Sequence, residues 1–276
     1  MLLTMDSTFK RAILIAAVIA VNLILFYYSF FYQPELNQNF LVIYLVVIQL
    51  AILLTFFKYR DYTTARLIQA KRLKNPRLQE NAFEFTTLLM KEYDYIRETA
   101  SQAMNDRHTV FNFFLIISGA IVLIVGSQLI KIEITTLSPN NLSILAALSI
   151  FLNVIGWILF MQLIRLRQAW WSSAEAMNQI KEFYIINGRV PDDIARSAFL
   201  WDSRSMPSAG KKSNVFYYSA VLFTFVASFA LFSASWLFSI NSSAAGVSFF
   251  TAFSAIYHLI FQMVCYSLFL DYRPIR

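Results

Sequence analysis

Twenty-two of the 23 lysines and arginines in this 276-residue chain fall in four hydrophilic stretches, which alternate with long apolar runs free of charge. That alternation constrains the fold more than any motif does. A bilayer hydrocarbon core of ~30 Å takes about 20 apolar residues per helix, and five runs reach or approach that length. Ala12–Tyr32, Phe40–Phe57, Thr109–Ile130 and Leu142–Ile164 are each single-helix size. The fifth, Ser213 to Leu270, is 58 residues without a charged side chain, too long for one crossing. Asn241, Ser242, Ser243 and Gly246 supply a turn that divides it into two. The expected fold is therefore an all-α integral membrane protein of six transmembrane helices. Composition agrees: 58% of residues are hydrophobic and 14% charged, against roughly 45–50% and about 25% in soluble domains.

Direction follows from the placement of positive charge, since short loops rich in Lys and Arg stay in the cytoplasm. Lys10 and Arg11 precede the first run, ten basic residues lie in 58–108, eight in 165–212, and Arg273 and Arg276 follow the last. The intervening loops hold only Lys131, close enough to a helix end to snorkel to the interface. Both termini are expected in the cytoplasm, with the chain in the cell inner (plasma) membrane. Tyr27, Tyr28, Phe30, Phe31 and Tyr32 form an aromatic belt at the outer end of the first span. That span exceeds the apolar core of a signal peptide, and no A-x-A site follows, so it reads as an anchor. The single cysteine, Cys265, has no intrachain partner.

Four segments follow from this reading: 1–75, a two-span hairpin with a basic juxtamembrane helix; 76–188, two spans with long cytoplasmic extensions; 189–214, a short cytoplasmic helix and loop; and 215–276, a second two-span hairpin. In the first segment Lys58, Arg60, Arg66, Lys71, Arg72, Lys74 and Arg77 face one acid, Asp61. They are topological signals, or contacts for anionic lipid at about 1 kcal/mol each near the surface; both readings stand.

Asn75 and Pro76 suit the cap and first position of a helix, and no Pro or Gly then occurs until Gly119. The fourth span likewise runs past Arg165 without a breaker until Gly188. Along it Leu163, Leu166, Trp170, Ser173, Met177, Ile180 and Tyr184 recur at alternating steps of three and four, a heptad seam. Phe85, Leu88, Leu89, Ile96 and Ala103 form a weaker stripe on the incoming helix, interrupted by Glu92 and Thr99. A short outer loop joins spans three and four, so the extensions are expected to pack as an antiparallel cytoplasmic hairpin, the candidate assembly seam. Beyond it, Phe199, Leu200 and Trp201 lie on a short helix that either packs on the hairpin or forms a partner patch.

Catalytic signatures are missing from the sequence. It contains no Gly-rich phosphate loop, nucleophile elbow, metal-ligand cluster or dinucleotide fingerprint. The expectation is a non-enzyme with no cofactor, no metal and no nucleic-acid partner. Within the spans Asn22, Gln49, Asn153, Gln162 and Gln262 are single polar residues of the kind that interhelical hydrogen bonds account for. His258 and Gln262, one turn apart, are the candidate intramembrane polar site. Such a histidine is either a satisfied structural group or part of a transport or cofactor path. No Asp, Glu, Lys or Arg lies mid-span, which argues against an ion-coupled pump.

At Leu88–Arg97 (LLMKEYDYIR) and Arg165–Tyr184 (RLRQAWWSSAEAMNQIKEFY) the chain resembles a widespread bacterial group of uncharacterised multi-pass membrane proteins. That group pairs an L-x-x-E-Y-x-x-x-R helix with an R-x-R-x-A-W…M-N-x-I-[KR] helix around two central spans. The resemblance covers roughly residues 80–270 and implies no activity. A fainter, architectural likeness is to SLATT-type membrane effectors of bacterial conflict systems, which have two spans. Three functional expectations follow: a scaffold, accessory subunit or self-assembling component acting through the hairpin; an oligomeric channel or permeabilising effector; and a small-solute transporter using His258 and Gln262.

Overall fold

A computed structural model describes residues 16–24, 42–54, 82–131, 138–187, 209–210, 215–241 and 249–270. The described residues are almost wholly helical and contain no strand. The elements are α1 (16–24), α2 (Val42–Leu54), α3 (Ala82–Lys131), α4 (Pro139–Asn187), α5 (Val215–Asn241) and α6 (Phe249–Leu270). Four of them, α3 to α6, are long and apolar enough to cross a membrane, and α2 is a shorter apolar helix.

The two longest helices form because nothing interrupts them. At 1.5 Å per residue, the 50 residues of α3 and 49 of α4 each extend about 75 Å, more than twice the hydrocarbon thickness. The start of α4 is defined by Ser138, whose Oγ lies 3.4 Å from the Asn141 amide while Pro139 occupies the first helical position. The helix thus begins one turn before the apolar run that opens at Leu142.

α3 and α4 pack antiparallel along their length. On α3 one line of buried and half-buried positions runs through Leu89, Tyr93, Ile96, Ala100, Ala103, Arg107, Val110, Phe114, Ser118, Ile121 and Val125, with Thr99, Phe111, Ile117, Gly126 and Ser127 half-buried beside it. Steps of three and four alternate with one exception through the whole helix, so a single seam serves both its apolar and its hydrophilic halves. Leu88, assigned to that stripe from sequence, is 64% exposed; Tyr93 and Ala100 lie on it instead. Leu89 and Ile96 meet Ala176, Ile180 and Phe183 of α4 across a groove of about 290 Å³. On α4, Leu163, Ser173 and Ile180 are buried while Leu166, Trp170, Met177 and Tyr184 are half-buried. Arg167, Ala174 and Asn178 are buried too, so α4 is covered over a face broader than one seam.

α4 is central in the apolar half, with α3 on one side and α5 on the other, and α6 against both α4 and α5. Val110, Phe114, Trp157, Phe160, Leu163, Ile164, Phe216, Phe223, Phe261 and Tyr266 form its main core. α4 and α5 meet at Gly156, where an added Cβ would stand 2.9 Å from the Cβ of Ala227. Ala227, Ala230 and Ala234 keep α5 narrow along this contact, and all three are buried. α2 closes the other side, with Leu45 on Leu231 and Val42 on Tyr257. Outside this core, Phe113, Ile116 and Leu123 of α3, Phe225 and Phe229 of α5 and Ile256 and Ile260 of α6 are exposed. Such an apolar belt suits lipid as its solvent and far exceeds what a water-soluble monomer carries.

Candidate functional site

Five polar side chains from four helices converge on one point of the apolar core. On α4, Asn153 and Trp157 are one turn apart and face the same way. Trp157 Nε1 donates to His258 Nε2 at 2.8 Å. Indole nitrogen is a donor only, so Nε2 carries no proton and the ring hydrogen resides on Nδ1. Nδ1 lies 2.9 Å from Ser228 Oγ on α5, which therefore accepts. Asn153 Nδ2 donates to the Ala227 carbonyl at 2.7 Å and lies 3.1 Å from His258 Nε2, while its Oδ1 accepts from Tyr44 of α2 at 2.6 Å. Trp157 also stands edge-on to the imidazole, ring centres 5.4 Å apart.

His258 is thus neutral, with both nitrogens engaged. It locks α6 to α4 and α5, and Asn153 extends the lock to α2. A ring with no free lone pair cannot ligate a metal or relay a proton without first breaking one of these bonds.

A second polar group adjoins the first. Asn22 of α1 donates to Gln49 of α2 and to the Tyr257 hydroxyl of α6, the latter at 3.2 Å. Tyr257 in turn donates to Gln49 Oε1 at 3.0 Å. Since Tyr257 and His258 are neighbours on α6, the two networks join five helices. Most hydroxyls elsewhere in the bundle bond back to their own helix, as Ser149 does to Leu145 and Thr224 to Ala220. Ser235 to Thr251, at 3.1 Å, is an exception that ties α5 to α6.

The two residues singled out from sequence have different surroundings. Gln262 is wholly buried, yet neither amide atom has a hydrogen-bond partner. Gln162 lies on the exposed side of α4, so interhelical bonding accounts for Asn22, Gln49 and Asn153 but not for Gln162 or Gln262. Tyr44, Trp157, Ser228 and Tyr257 were not singled out from sequence. Each is an ordinary apolar-run residue until the helices assemble. The i,i+4 pair Asn153 and Trp157 was the one local signal available.

Where α3 and α4 leave the apolar half, an arginine lies in each packed face. Arg167 is 9% exposed. Its Nε donates to the Ala209 carbonyl at 3.1 Å, and its guanidinium lies 4.4 Å from the centre of the Trp170 ring and 5.6 Å from that of Phe216. Arg107, on the α3 seam, is half-buried, and one of its terminal nitrogens is 3.3 Å from His108 Nε2. The neighbouring Gln168 ties α4 to the end of α6 through the Phe269 carbonyl at 2.8 Å.

Among the described residues no cluster of His, Cys, Asp and Glu could hold a metal ion, and Cys265 is a buried free thiol. The basic series Lys58, Arg60, Arg66, Lys71, Arg72, Lys74 and Arg77, the patch Phe199, Leu200 and Trp201, and the turn at 242–246 lie outside the described residues. No protein family, curated protein or solved structure matches the chain.

Proposed function

We propose that this chain is a non-enzymatic, multi-pass inner-membrane protein that acts as a scaffold, accessory subunit or self-assembling component through the hairpin of α3 and α4. In this reading it crosses the membrane six times, α1 and α2 belonging to the first two spans, with both termini and the hairpin in the cytoplasm. The observation that carries it is the hairpin itself. Its hydrophilic half is held by a heptad seam, yet it leaves Leu88, Met90 and Tyr95 exposed beside the groove lined by Leu89, Ile96, Ile180 and Phe183. Apolar surface of that kind is in water, not lipid, and association with a protein surface would cover it.

The saturated bonding of His258 supports a structural bundle core over a solute path. An oligomeric channel or permeabilising effector is the second reading, favoured by the membrane half of α3. That helix exposes most of its apolar window, and Gly119 and Gly126 open onto free space, a surface on which a second copy could pack.

The test is capture of the full-length protein from native membranes in mild detergent after in-cell crosslinking. Leu88→Asp with Tyr95→Asp is expected to abolish the crosslinked complex while leaving the monomer folded. A complex of unchanged mass in the double variant would refute the hairpin reading. A homo-oligomer that survives it and makes vesicles leaky would instead establish the channel.

A further inference from the structure

Two guanidinium groups share the α3–α4 seam, close enough for their like charges to interact. Arg107 lies one turn before Val110, and Arg167 one turn after Leu163; Val110 and Leu163 share the main core. The helices are antiparallel, so both arginines leave the apolar half at the same level. Burial works against the charge of Arg167; Tyr266 offsets part of that, and the like charge of Arg107 adds to the cost. No carboxylate among the described residues forms an ion pair with either; Arg97 pairs with Asp94 farther along α3, at 3.4 Å. The Ala209 carbonyl and the Trp170 and Phe216 rings satisfy part of Arg167 but carry no formal charge to neutralise it.

Depth selects the missing partner. The apolar runs begin at Thr109 and end at Ile164, so at 1.5 Å per residue the two arginine backbones lie about 3–5 Å beyond the hydrocarbon edge. The polar headgroup layer adds roughly 5–7 Å on each side of a bilayer, which puts both guanidinia at the level of lipid phosphates. Arginine is suited to phosphate because its planar fork offers parallel donors.

We propose that Arg107 and Arg167 together form a binding site for the phosphate of an anionic phospholipid, with Trp170 holding the Arg167 guanidinium in place. The site uses other residues than the basic series between Lys58 and Arg77. It recruits a lipid to the root of the hairpin, and it does not depend on whether the hairpin binds a protein.

The measurement uses the full-length protein in bilayer nanodiscs of phosphocholine lipid, doped with phosphoglycerol lipid or not. Bound lipid is counted by native mass spectrometry, and thermal midpoints are recorded in parallel. Wild type is expected to retain phosphoglycerol lipid and to melt higher in its presence, whereas inorganic phosphate added to phosphocholine discs leaves the midpoint unchanged. Arg107→Gln and Arg167→Gln are each expected to weaken retention about tenfold or more, the range for a charge-assisted bond. Arg97→Gln, on the same hairpin, leaves it unaltered. Equal retention of the two lipids by wild type overturns the proposal, and needs no variant to fold. So does an equal loss in Arg97→Gln, which would mean diffuse charge. A midpoint raised equally by inorganic phosphate overturns the lipid assignment in favour of a soluble phosphate.

Discussion

At the scale of single residues, the bundle is held by groups that have one right neighbour each. His258 engages Trp157, Asn153 and Ser228 at once, so removing the ring orphans an indole N–H and a hydroxyl in a buried site. Interhelical hydrogen bonds within membranes average about 0.6 kcal/mol, but an unsatisfied buried donor costs about 1–3 kcal/mol. His258→Leu is accordingly expected to destabilise the protein by about 2 kcal/mol, read as a lower thermal midpoint in nanodiscs. An unchanged midpoint would mean that the ring is not part of the lock. Gly156 makes the complementary point with volume. A methyl there meets the Ala227 Cβ at 2.9 Å, and that atom is fixed to the α5 backbone. Gly156→Ala should cost about 1–3 kcal/mol through overpacking despite its better helix propensity, and Ala227→Gly in the same chain should restore most of the loss.

At the scale of elements, α3 and α4 show how far a periodic pattern can be read. Uninterrupted length, the absence of Pro and Gly, and the three-four spacing all predicted long paired helices, and α3 and α4 are 50 and 49 residues long. The register on α3 was less legible. Leu88 and Leu89 are equal candidates by hydrophobicity, and only the partner helix decides that Leu89 faces it while Leu88 does not. Arg107 enters the sequence reading only as one of ten basic residues in 58–108, although its spacing from Ala103 and Val110 continues the seam. Ile180 is buried in the hydrophilic half of the hairpin, so Ile180→Asp is expected to open that half while the membrane half stays folded. Limited proteolysis should then cut near the ends of α3 and α4 and leave a protected core. A cleavage pattern identical to wild type would show that the seam does not hold the hairpin.

At the scale of the whole molecule, topology is the property that charge distribution predicts and chemistry can check. Because Cys265 is buried, a single introduced cysteine can be followed on an almost silent background. Ser138→Cys, in the loop before α4, is expected to react with a membrane-impermeant maleimide on intact spheroplasts. Glu98→Cys, on the hairpin, should react only after the membrane is broken. Labelling in the opposite order would invert the orientation. The sequence by itself determined an all-helical membrane protein, and of its six expected spans the structure shows four as long apolar helices, because these depend on local sums of hydrophobicity along the chain. Only the tertiary structure decided which polar groups satisfy one another: Tyr44, Asn153, Trp157, Ser228 and His258 are scattered over more than 200 positions. Hydrogen bonding is short-ranged and directional, so such a site exists only once the helices are packed. The same reason places Arg107 and Arg167, sixty residues apart in the chain, in the facing sides of one seam, where their charges interact.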